Sequence, residues 1–128
     1  MASDPLLPKD LGGQARDLAR ECAEALTYLR QHGADAKTVF EVEQIRDDFG
    51  PQAVRSYLNL VPGTGQTEPV LDGKTGHELV GEQLGLLRES VRSRLIDSGR
   101  SGRDDFVANH KFLTEKLGGA AEDPTLRL

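Results

Sequence analysis

At 128 residues the chain has the length of one domain, able to bury enough surface to fold without a metal or a disulfide. A formal charge of −5 is ill suited to a surface built for nucleic acid or anionic lipid, and a lone cysteine, Cys22, excludes an intramolecular disulfide. No apolar run approaches the ~18 residues of a membrane helix and no secretory signal is visible, so the expected location is the reducing cytoplasm, with no membrane anchor.

Residues 1–9 hold two prolines and no periodicity, and are expected to form an irregular arm with Leu6 and Leu7 tucked against the core. Residues 11–32 carry the strongest pattern. Leu11, Ala15, Leu18, Cys22, Ala25 or Leu26, and Leu29 recur at helical steps of three and four, while Arg16, Asp17, Arg20, Glu24 and Arg30 occupy the other side. Asp10 or Gly13 is the expected cap, and Arg20 is placed to pair with Asp17 and Glu24. Small residues, Ala15, Ala19, Cys22 and Ala25, line the buried face and suit a central helix packed by others. A coiled-coil seam is the competing reading, weakened by a short repeat without β-branched residues.

Gly33 is placed to end this helix and Asp35 to cap a second one over 36–49, with Val39, Val42, Ile45 and Phe49 inward. Gly50-Pro51 predicts a break, because proline suits a first helical turn and not an interior. A third helix over 51–61 then places Ala53 or Val54, Tyr57, Leu58 and Val61 inward. Residues 62–75 are rich in Gly, Pro and Thr and form the expected long loop, with Val70 and Leu71 pinned to the core or paired as a short strand. Thr75-x-x-Glu78 reads as a capping box opening a fourth helix over 76–98, whose buried stripe is Val80, Leu84, Leu87, Val91 and Leu95. Gly81 and Gly85 on it would allow close packing against the alanine face of the first helix. A Gly/Ser linker over 100–103 precedes a fifth helix over 104–117, capped by Asp104, with Phe106, His110, Leu113 and Leu117 inward, and a frayed tail over 118–128. The expectation is one compact all-α domain, a bundle of about five helices.

Several residue groups could carry chemistry. Asp72-Gly73-Lys74-Thr75 has the end of a phosphate-binding loop but lacks its first glycine, Glu68 standing there, so a turn feeding a capped helix accounts for it. His77, Glu78 and Glu82 could gather at the start of the fourth helix as metal ligands, although neither H-E-x-x-H nor E-x-x-H occurs; capping and solvation of the helix start explain them more simply. No Gly-x-Ser-x-Gly elbow is present and Cys22 falls inside an apolar stripe, which leaves nucleophilic catalysis without a starting point; no cofactor or metal is expected.

Residues 35–61 have the rhythm of a helix-turn-helix with Arg55, Ser56 and Asn59 outward, but Glu41, Glu43, Asp47 and Asp48 would face the phosphates. Arg88, Arg92, Arg94, Arg100 and Arg103 form the one basic concentration, either as partners of the helix C-terminus and neighbouring acids or as an anion or acidic-partner site. The function expected is therefore non-enzymatic protein binding, as an adaptor, assembly subunit or inhibitor. Its surface would comprise helix faces and the 62–75 loop, with Val70, Leu71 and these five arginines as candidates and a homodimer as one form of the partner. A DNA-binding regulator using 35–61 is the alternative, and a small enzyme with its site in the loop is a third.

Overall fold

The computed structural model describes residues 7–60 and 66–118. Helix dominates, with a small sheet. Helix α1 spans Lys9–Gln31. Helix α2 (Ala36–Gln44), a π-helical turn (Ile45–Phe49) and α3 (Gly50–Leu58) follow without interruption. Strands β1 (Pro69–Leu71) and β2 (Lys74–Thr75) form a hairpin, and α4 runs Gly76–Leu117. Among the described residues the helical runs are thus three and not five. The chain divides into two compact units, Met1–Leu95 and Ile96–Leu128.

In the first unit, α1 begins one residue after Pro8, which takes the cap position without a side-chain hydrogen bond, so neither Asp10 nor Gly13 caps it. Its end is a Schellman motif: the Gly33 N–H donates to the Arg30 carbonyl at 3.4 Å and the Ala34 N–H to the Leu29 carbonyl at 2.9 Å. Gly33 sits at φ +66°, where a side chain would be strained. Asp35 caps α2 as expected, its carboxylate accepting from the Thr38 N–H at 2.7 Å.

The break expected at Gly50-Pro51 does not occur. In a straight α-helix the Pro51 ring would collide with the carbonyl four residues back and leave it without a donor. The backbone widens instead: the Gly50 N–H donates to the Ile45 carbonyl, five residues earlier, and the helix continues through the proline. The extra residue rotates Phe49 out of the inward line, and it is exposed. Gly50 packs against α1, where a Cβ would stand 3.0 Å from the Ile45 carbonyl oxygen and 3.1 Å from Leu18 Cδ2.

The core joins Leu11, Ala15, Leu18, Cys22, Leu26 and Leu29 of α1 to Val42, Ile45, Val54 and Tyr57 of the second run and to Val80, Leu84 and Val91 of α4. Leu58, Leu87 and Leu95 are half-buried against it. Each fully buried aliphatic side chain contributes about 1.5–3 kcal/mol. Two expectations about small residues fail. Ala19 is exposed, one position off the stripe. Gly85 has nothing within 4 Å of a Cβ and Gly81 only the Gln14 side chain at 4.0 Å, so neither glycine serves a close helix approach.

The described part of the second unit is one helical segment, the Ile96 to Leu117 portion of α4 and Gly118 after it. Gly99, Gly102 and Asp104, expected to separate two helices, lie inside it. A glycine costs a helix about 1 kcal/mol relative to alanine but keeps its N–H, so it weakens without breaking. No proline occurs between residues 76 and 117. Phe106, His110, Leu113 and Leu117, expected inward, are exposed, because no second described element in this unit packs on them. Of the remaining expectations, Leu7 is buried, while Leu6, the rest of the arm to residue 6, Val61 with 62–65, and the tail from 119 lie outside the described residues.

Candidate interaction surfaces

The hairpin is built by its turn. Asp72 and Gly73 have φ of 53° and 73°, the pair of left-handed residues that defines a two-residue type I′ turn, and Leu71 faces Lys74 across it. The residues that resembled the end of a phosphate loop are therefore this turn and the cap that follows. Thr75 and Glu78 make the capping box in full: the Glu78 N–H donates to Thr75 Oγ1 at 3.1 Å and the Thr75 N–H to Glu78 Oε1 at 3.3 Å.

The approach to the hairpin is tied down by Gln66. Its side-chain amide donates to the carbonyls of Tyr57 and Leu60 at the end of α3, and its own carbonyl accepts from the His77 N–H at 3.0 Å. His77 in turn reaches Asp10 on α1 at 2.9 Å, and this contact holds the Asp10 carboxyl below its ordinary value. Lys74 pairs with Glu82 at 2.5 Å. His77, Glu78 and Glu82 thus turn to three different partners and do not converge. Val70 and Leu71 stand at the tip, 51% and 59% exposed, and neither pins the hairpin to the core.

The arginine concentration separates into two kinds. Arg88 grips Glu21 of α1 with two hydrogen bonds, at 2.7 and 3.0 Å, and Arg94 holds Glu41 of α2 at 2.6 Å; both pairs are half-buried. These two arginines fasten α4 to its neighbours. The Arg88 guanidinium also keeps the Glu21 carboxyl below its usual range. Arg92 meets Glu89 at 3.3 Å and Arg100 meets Asp97 at 3.8 Å on exposed helix surface, contacts of small energetic value. Arg103 has no ion pair among the described residues. Arg88, Arg92 and Arg94 belong to the first unit, Arg100 and Arg103 to the second.

Two further surfaces are present, one that the sequence does not show and one that it shows as an apolar stripe expected inward. A shallow groove of about 380 Å³ in the first unit is lined by Phe49, Gln52, Ala53, Ser56, Gln83 and the adjacent Leu86 and Leu87. It exists because the π turn swings Phe49 outward, which periodicity does not reveal. In the second unit Ile96, Phe106, Val107, Leu113 and Leu117 are exposed along the helix, Phe106 at 73%. On a 3.6-residue repeat they fall within an arc of roughly 120°. Phe112 lies on the other side, where the Lys116 ammonium sits 5.8 Å from its ring centroid.

Residues 36–58 form an unbroken helical run, so the turn on which a helix-turn-helix depends is not made. Cys22 is fully buried and its thiol is pushed up to about 11 by desolvation, which leaves it protonated and inaccessible. Among the described residues no group of three or more His, Cys, Asp or Glu side chains is arranged to hold a metal, and no helix is long and apolar enough to cross a membrane. Comparisons with protein-family models, characterised proteins and solved structures gave no match to this chain.

Proposed function

We propose that the protein is a non-enzymatic binding domain, an adaptor, assembly subunit or inhibitor, which engages a protein partner through the helix face at Ile96, Phe106, Val107, Leu113 and Leu117. One observation carries this reading: five large apolar side chains are exposed along a single helical face of the second unit. Soluble proteins seldom leave such a stripe uncovered, and an amphipathic helix laid in a partner's groove is a common way of covering it. The hairpin tip at Val70 and Leu71 is a smaller candidate contact in the first unit.

The test compares the full chain with a Phe106→Asp/Leu113→Asp double variant as baits in the native cell. The expected result is a partner protein enriched by the wild type and lost with the variant, while tyrosine fluorescence shows the first unit intact. Partners retained equally by both baits would overturn the assignment of this face.

A further inference from the structure

The charges around the exposed stripe restrict what can cover it, and we infer that its partner is a protein groove with an apolar floor and carboxylates along its rim. This rests on the protein-binding role proposed above. Around the helix axis Arg103 and His110 fall inside the apolar arc, and Arg100 and Lys111 follow directly beyond Val107; Asp97, Asp104 and Glu115 come next, behind them. The arc from Leu113 round to Lys111 therefore carries cationic side chains and no carboxylate. Arg103 and Lys111 have no ion pair among the described residues, and Arg100 has only the loose contact with Asp97 at 3.8 Å. Docking the stripe would take Arg103 out of water, and a desolvated guanidinium is tolerable only where a carboxylate meets it.

The same pattern disfavours the other occupants. Two copies laid face to face would bring Arg103 and His110 of one against those of the other, with no carboxylate between them. Residues 96–117 hold four basic residues, Arg100, Arg103, Lys111 and Lys116, and four acidic ones, Asp97, Asp104, Asp105 and Glu115; with the chain at −5, an anionic bilayer gains no attraction.

The experiment uses the full-length chain and two designed helical hairpins, each with the same leucine-lined groove, one rimmed by glutamates and the other by lysines. Affinity for the glutamate-rimmed hairpin should exceed that for its twin by about tenfold or more, and Arg103→Glu/Lys111→Glu should invert the preference. Both substituted positions are exposed on the helix, so the variant keeps its fold, which circular dichroism checks. Equal binding of the twins, a preference for the lysine rim, or no binding to either overturns the inference. So does stronger association with phosphatidylserine vesicles or with a second copy in sedimentation. Equal binding that still disappears in Phe106→Asp/Leu113→Asp would remove the acidic rim and leave the protein-binding role standing.

Discussion

Gly50→Ala and Gly85→Ala add the same methyl group to a helix and should move stability in opposite directions. At Gly50 the new Cβ would stand 3.0 Å from the Ile45 carbonyl oxygen and 3.1 Å from Leu18 Cδ2. That carbonyl is engaged in the π turn and Leu18 is 2% exposed, so neither moves aside without disturbing its own packing. Crowding of this kind costs roughly 1–3 kcal/mol. Replacing a helical glycine returns about 1 kcal/mol, which leaves Gly50→Ala destabilising by about 1 kcal/mol. At Gly85 nothing lies within 4 Å of the new atom, so there the propensity gain of about 1 kcal/mol stands alone. The two tyrosines, Tyr28 and Tyr57, both belong to the first unit, so tyrosine fluorescence during urea unfolding reads that unit specifically. With a slope of about 2 kcal/mol per M, the two midpoints should lie about 0.5 M below and above the wild type. A Gly50→Ala midpoint at or above the wild type would refute the close approach, and a loss at Gly85 would refute the open space.

Cys22 is buried, with its thiol pushed up to about 11, and should react with a thiol reagent at a rate set by unfolding. A fast native reaction, followed by thiol absorbance without denaturant, would show a route to the sulfur that the packing closes. Glu21 titrates lower in the folded chain than its ordinary 4.5 because of Arg88, so the unfolded chain binds the extra proton in that acid window. The pair's contribution is therefore present above pH 4.5 and is lost as pH falls through the lowered folded value. Glu21→Gln should lower stability at neutral pH by about 1–3 kcal/mol and flatten the acid limb of its pH profile; an unchanged limb in urea titrations would assign that slope elsewhere.

What could be read from the sequence was what depends on neighbours along the chain. The buried stripe of α1, the Asp35 cap, the Thr75-Glu78 box and the Asp72-Gly73 turn are local, and each formed where the residues placed it. Arg20 likewise lies near Asp17 and Glu24, at 3.2 and 3.9 Å. The errors came where a local signal has two structural answers. Gly50-Pro51 reads as a stop, yet a π turn satisfies the same proline without ending the helix. The glycines at 99 and 102 read as a linker, yet without a proline they only weaken a helix. The apolar positions from Phe106 to Leu117 were legible as a stripe, but periodicity says that a face is apolar and not what covers it. Arg88 and Arg94 could be read as basic but not as fasteners, since Glu21 and Glu41 lie 67 and 53 residues away in sequence.

The π turn has a consequence for chain length. Each residue added to or removed from a helix rotates everything beyond it by about 100°, and the turn at Ile45–Phe49 holds one residue more than a regular helix would. Deleting a single position there would let the segment relax to ordinary winding. Because the wide turn already absorbs that residue, Val54 and Tyr57 would keep facing the core; the cost would fall on Pro51, whose ring would then meet the carbonyl four residues back. The turn thus sets the phase between α2 and α3: it should accept conservative changes at Asp47 or Asp48, which are exposed, whereas a residue added or removed within α2 or α3, where no wide turn absorbs it, should rotate one buried face away from the other.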